Sequence, residues 1–219
     1  MGDAVQSLMR FYSGHAIFGT FSALLLSAAI GFVGPASAQD AGNAAAVSKL
    51  VAAALDRTRH RVTYSGAYRR IPYPRGDVPA ATGVCTDVVI RAYRAAFGID
   101  LQQRVHEDMR RSFGTYPNRW GLTRPDPNID HRRVPNLRVF FKRHGKALAV
   151  TRRAGDYRPG DLVTWIVNGR LPHIGIVTDR RTADGTRPMI VHNIGAGPQL
   201  EDMLFDYPIT GHYRYLPAG

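Results

Sequence analysis

The chain has 219 residues, with 29 Lys or Arg against 17 Asp or Glu and a formal charge of +12 at pH 7. That length supports one core of ordinary size, and the charge suits an anionic polymer such as cell wall, lipid headgroups or nucleic acid. The single cysteine excludes an internal disulfide, and the charge excess is carried by arginine, the only lysines being Lys49, Lys142 and Lys146.

Residues 1–38 have the order of a secretory signal peptide. Arg10 gives a basic start, Ala16 to Val33 is apolar or small, and Pro35-Ala36-Ser37-Ala38 offers a small-x-small cleavage pattern before Gln39. Gly19, Ser22, Ser27 and Gly31 interrupt the apolar stretch and weaken the competing reading of a retained anchor. The expectation is a periplasmic or secreted mature chain, a single domain over 39–219, with no membrane span after cleavage. Export argues against nucleic acid as a partner and leaves peptidoglycan or another anionic envelope polymer. The alternative is that the scattered arginines are merely solvated. A monomer is expected.

In the mature part, 41–58 is Ala-rich with Val47, Leu50, Val51 and Leu55 at helical spacing. Residues 63–83 carry Pro, Gly and Tyr in the pattern of a long ordered loop. The spacing then predicts a helix over 84–97, with Cys85, Val88, Ala92 and Ala96 on one face and Asp87, Arg91 and Arg94 turned away. Gly98 stops it. A short helix over 101–113, a Pro-rich loop over 114–133 and a helix over 135–144 closed by Gly145 follow. Strands are predicted at 147–151, 161–167, 173–178, 189–193 and 212–216, separated by Pro159-Gly160, Asn168-Gly169 and Asp184-Gly185. Helices first and strands afterwards indicate an α+β domain, helices packed on an antiparallel sheet.

A lone thiol in an oxidising compartment asks for a reason. An inert buried thiol is one answer; a nucleophile is the other. Cys85 opens a helix, where backbone N–H groups lower a thiol pKa and can hold an oxyanion. His173 opens the strand His173-Ile174-Gly175-Ile176-Val177, and Gly175 on its face leaves space for a neighbouring side chain. A histidine on a strand facing a cysteine at a helix start is a nucleophile–base pair, although a lone histidine there is more often a satisfied core residue. A third polar group should orient the imidazole. His192 and Asn193, on the next strand, fall on opposite faces, so only one can serve. Asp179 reads as a turn residue.

The order Tyr73-x-x-Gly76, Gly83-Val84-Cys85, Pro159-Gly160-Asp161-Leu162-Val163, His173-Ile174-Gly175-Ile176 and Ile190-Val191-His192 resembles the NlpC-type cell-wall peptidases, bacterial papain-like cysteine peptidases that cleave peptidoglycan stem peptides. The likeness spans about residues 68–193. The runs Gly83 to Asp87, Val105 to Met109, Asn128 to Arg133 and Gly211 to Tyr215 are similar to a family of secreted bacterial proteins of unknown function grouped with that superfamily. The resemblance implies a papain-like fold, Cys85 as nucleophile, His173 as base, His192 as the third polar residue and Tyr73 at the oxyanion site. Val84 stands where the peptidases have Asp, and Thr86-Asp87 where they have Ser-Gly, so the substrate is less defined than the fold.

Asn128 to Arg133 has two readings: Asp130 and Arg132 line a substrate cleft, or they anchor a long loop by pairing internally. Asp130, His131, His106 and Asp108 lack any familiar metal spacing, and no cofactor is implied. The leading function is amide hydrolysis in peptidoglycan stem peptides through a thioacyl intermediate. An acyltransferase, thioesterase or lipid-directed enzyme on the same dyad, or a non-catalytic envelope-binding module, are the alternatives.

Overall fold

The apolar stripe Leu50, Val51 and Ala54 is buried in α1 (Ala38–Arg57), the first element of a computed structural model that describes residues 38–217. The expected signal segment, 1–38, lies outside the described residues apart from Ala38. The helices α2 (Cys85–Phe97), α3 (Leu101–Ser112) and α4 (Val134–His144) come next. Gly98 ends α2 in the left-handed conformation, φ 66°, and its N–H bonds the Arg94 carbonyl. Asp100 caps α3 by accepting from the Gln102 N–H.

Strands follow: β3 (Lys146–Ala147), β4 (Leu162–Val167), β5 (Leu171–Arg181), β6 (Pro188–His192), β7 (Gln199–Glu201) and β8 (Ile209–Arg214). They form one antiparallel sheet in the order β3-β8-β4-β5-β6-β7. The protein is therefore α+β, with helices against an antiparallel sheet, as the order of periodicities predicts. Among the described residues no helix is long and apolar enough to cross a membrane.

Three differences from the sequence expectation have local causes. The strand expected at 147–151 stops at Ala147 because Thr151 is held in a turn, its hydroxyl 2.6 Å from Asp156 and its carbonyl accepting from Tyr157 Oη at 2.8 Å. The short strand β7 was not anticipated. The loop 63–83 is stitched at its ends by a parallel pair, β1 (Thr63–Tyr64) and β2 (Thr82–Gly83), which sets Tyr64 opposite Gly83.

Period two divides β5 between two cores. Ile174 and Ile176 pack with Leu162, Val191 and the helices; Val177 packs on the other side with Val163, Trp165, Ile190, Met203 and Leu204. Cys85 belongs to the helix-side core. Each such apolar side chain contributes roughly 1.5–3 kcal/mol by its burial, so the start of α2 and the middle of β5 are held firmly together.

Candidate active site

The start of α2 is built by Asp87. Its carboxylate accepts the Val84 N–H at 2.6 Å, satisfying a donor that the helix leaves open. Gly83 makes room for this: a Cβ there would sit 3.1 Å from the Asp87 Cβ. Arg132 grips the same carboxylate through Nε and Nη2, each at 2.9 Å, and Thr86 Oγ1 donates to the Arg132 carbonyl at 3.1 Å. Both charged side chains are only 3% exposed. Arg132 is thus an anchor of the start of α2; its Nη2 also donates to the Ser65 carbonyl at 3.3 Å, and its unpartnered Nη1 is buried. Asp130 is also buried, accepting from the Asp126 N–H and pairing with Arg133 at 2.9 Å. The anchor reading of this run is the one the geometry favours.

Arg91 and Arg94 do turn away from the apolar face of α2, but not into solvent. Arg91 bonds Asp77 and the carbonyls of Val78, Pro79 and Ala80, and Arg94 bonds Asp77 and the Gly76 carbonyl. They hold the loop that covers the helix.

Cys85 is 4% exposed. Burial pushes its thiol up to about 12; the Ile174 N–H pulls the other way, Asp87 adds to the rise, and the N–H groups of Thr86 and Cys85 itself lower it. The helix terminus therefore acts in the expected direction, but desolvation wins and the resting sulfur is a neutral thiol. The Ile174 N–H belongs to the residue after His173, so the sulfur rests against the backbone step next to the imidazole. Among the described residues no hydrogen bond joins the sulfur directly to the His173 ring, and the expected face-to-face pair is not formed: Cys85 lies in the helix-side core with Ile174 and Ile176, while His173 packs with Trp165 on the other face of β5.

His173 is buried beside Trp165, its cross-strand partner, with ring centroids 6.0 Å apart. Burial, then the neighbouring His192, pushes its pKa down to about 3. Its Nε2 lies 3.1 Å from His192 Nδ1, the rings edge to face. His192 Nε2 in turn lies 2.7 Å from Glu201 Oε2 on β7, off the line of a straight hydrogen bond. Burial lowers the His192 pKa while Glu201 opposes that. Gly175 leaves the space anticipated for it: a Cβ there would meet His192 Cβ at 3.1 Å and Ile190 Cγ2 at 2.6 Å.

Asn193 turns the other way. Its Oδ1 accepts the Gly195 N–H at 3.1 Å, and it lines a small recess with Val84 and Val88. The contact with the His173 ring is made by His192 and not by Asn193. Tyr73 is packed on His106, ring centroids 4.9 Å apart, with Glu107, Asp100 and Arg110 as its charged neighbours. The tyrosine at the thiol is Tyr64, whose pKa is raised to about 12 by burial and by the neighbouring Cys85 and Asp87. Tyr64 and Glu201 are the members the sequence reading missed. A Gly-containing turn at 195–198 followed by Gln199-Leu200-Glu201 was the available hairpin signal for Glu201. Among the described residues no cluster of His, Cys, Asp or Glu is placed to hold a metal.

A groove of about 550 Å³, lined by Arg59, His60, Arg61 and Gln199, adjoins the Val84–Asn193 recess through shared Val62 and Pro198. The groove is open and basic, and through the recess it reaches Val84, the residue before Cys85.

These features define a class: an α+β protein with a thiol at a helix start, packed on a strand whose histidine leads into a His–His–carboxylate chain. The chain belongs to a family described as a domain of unknown function (DUF1287), which matches residues 51–215. It is similar to an Escherichia coli (strain K12) protein called "Uncharacterized protein YijF", 53% identical over 152 residues that cover 69% of this chain and 73% of the relative.

Proposed function

We propose that this protein is an exported cysteine hydrolase of papain-like, NlpC-type architecture that cleaves amide bonds in peptidoglycan stem peptides. Two observations carry the reading: the Cys85 thiol lies against the Ile174 N–H, and the residue before Ile174 begins the His173–His192–Glu201 chain. With Glu201 at Nε2, the His192 proton resides there and Nδ1 accepts from His173 Nε2–H. His173 Nδ1 is then the basic nitrogen, free to take a proton.

Burial keeps thiol and imidazole neutral at rest, so proton transfer accompanies attack and does not precede it. For attack the imidazole turns from its place beside Trp165 toward the thiol; His173 Nδ1 then takes the S–H proton as sulfur adds to the amide carbonyl. The Cys85 N–H and the Tyr64 hydroxyl are suited to the oxyanion. Collapse breaks the C–N bond, and the imidazolium returns its proton to the leaving amine. Water, deprotonated by His173, then cleaves the thioester and releases the acid. Arg59 and Arg61 in the adjoining groove fit the carboxylates of a stem peptide.

The low exposure of the thiol supports a second product on the same dyad, acyl transfer to an amine where water is kept out. Purified muropeptides, incubated with and without an added amino-acid amine, test both. Cleavage into an acid and an amine supports hydrolysis; a new amide with the added amine supports transfer. No product in either case contradicts a catalytic role and leaves an envelope-binding module.

A further inference from the structure

The region around α4 contains a second cavity, of about 240 Å³, that the Cys85 site does not use. Its walls include Phe113, Tyr116 and Trp120, and its polar side is formed by Asp130, Arg133 and Asn136. The charges there are already matched: Arg133 pairs with Asp130 at 2.9 Å and lies 4.0 Å over the Trp120 ring. The Tyr116 hydroxyl is also committed, donating to Asp108 at 2.6 Å.

Asn136 is different. It is fully buried, and its Nδ2 donates to the Asp130 carbonyl at 3.1 Å. That bond requires a donor, so it fixes which way the amide points. The Oδ1 is left buried and without a partner. Buried acceptors in native proteins find donors, and this one belongs to a residue lining an otherwise charge-neutral, aromatic cavity.

We infer that this cavity binds a neutral secondary amide, its N–H donating to Asn136 Oδ1 and its body packed against Trp120 and Phe113. A cation or anion is disfavoured because Asp130 and Arg133 neutralise each other. An N-acetylated sugar and an acylated amino acid share this chemistry. The inference stands independently of the reaction at Cys85, and its test reads binding alone.

The indole N–H of Trp120 reports on the cavity by NMR. The other tryptophan, Trp165, is fully buried and bonds the Leu204 carbonyl at 3.0 Å, so its signal serves as an internal control. The protein is titrated with N-acetylglucosamine, N-acetylglycinamide, glucose and acetate. At least one of the two amides should shift the Trp120 signal saturably while glucose and acetate do not, and the tighter amide identifies the sugar or the peptide source. Asn136→Ala should weaken that binding at least about tenfold. Phe113→Ala, which leaves the Asn136–Asp130 bond intact, should also weaken it, and serves if Asn136→Ala fails to fold. Absence of saturable binding by both amides overturns the inference, with water filling the cavity. So does equal binding of glucose or acetate, or undiminished binding by a folded Asn136→Ala or Phe113→Ala.

Discussion

Glu201 Oε2 lies 2.7 Å from His192 Nε2, placing a half-exposed carboxylate against a buried imidazole. A carboxylate at this distance from Nε2 favours a proton there, and in the proposed arrangement Nδ1 is then the acceptor for His173. It also raises the His192 pKa against the effect of burial. Protonated His192 cannot accept, so its titration should set an acid limb of kcat/KM. Glu201→Gln removes the charge and keeps an accepting oxygen. Its acid limb should move to lower pH, with a loss at neutral pH of less than about tenfold. Glu201→Leu removes the acceptor and should lose more. An acid limb that moves to higher pH in Glu201→Gln, measured over a full pH series, contradicts this role.

The contact between His173 and His192 at 3.1 Å also sets the register of β6 in the site. His192→Ala should reduce turnover without abolishing it, because an orienter directs the base and makes no bond to substrate. Asn193→Ala should act mainly on stability, through the Gly195 turn. Turnover of the two single variants decides the matter. A severe catalytic defect in Asn193→Ala beside a near-silent His192→Ala would place the strand one residue out of register.

The parts of this site legible in the sequence were those with local signals. Gly98 and the apolar stripe marked α2, and the short run His173 to Val177 marked β5. Helical spacing, however, identifies only the core stripe. It does not reveal that Arg91 and Arg94, on the other side, are covered by a loop with many carbonyls to offer. Tyr64 reaches Cys85 because Thr63 and Tyr64 pair with Thr82 and Gly83 across a long loop, a contact between segments far apart in sequence. Glu201 sits on a three-residue strand, too short for alternation to show. The thiol pKa was misjudged for a related reason: helix position is visible in sequence, and the degree of burial that outweighs it is not.

The helix α2 should depend on the buried pair Asp87–Arg132. Breaking one partner leaves an uncompensated charge in the interior, which costs about 3–5 kcal/mol. Asp87→Ala and Arg132→Ala should each lower the unfolding free energy by that order, measured in urea at neutral pH. Arg132→Ala should not act through KM alone, as it would if the guanidinium held substrate. A stable Arg132→Ala protein with a raised KM and unchanged kcat would restore the substrate-binding reading.

Stability should be greatest in a window near neutral pH. His173 titrates at about 3 when folded against 6.5 for a free imidazole. The unfolded state therefore binds the extra proton between those values, and stability falls as pH drops below 6.5. His131, also buried and pushed down to about 3, adds to the same loss. Cys85 is shifted up to about 12 from 9.0. The unfolded chain loses its proton first, so stability falls as pH rises above 9. Each group contributes a slope of about 1 kcal/mol per pH unit inside its window. Urea unfolding across pH tests this. Cys85→Ala should flatten the slope between pH 9 and 10, below the usual tyrosine value of 10.0. A wild-type protein most stable near pH 5 contradicts the neutral burial of these groups.

The central claim, that Cys85 and His173 act as one unit on the cell wall, is tested most directly by mass spectrometry of fragments released from purified sacculi. Wild type should release stem-peptide fragments bearing a new carboxylate and a new amine at one amide bond. Cys85→Ala, His173→Ala and the double variant should release almost none, all three to a similar degree, while keeping the wild-type circular dichroism spectrum. Fragment release by folded Cys85→Ala at the wild-type rate would contradict the account.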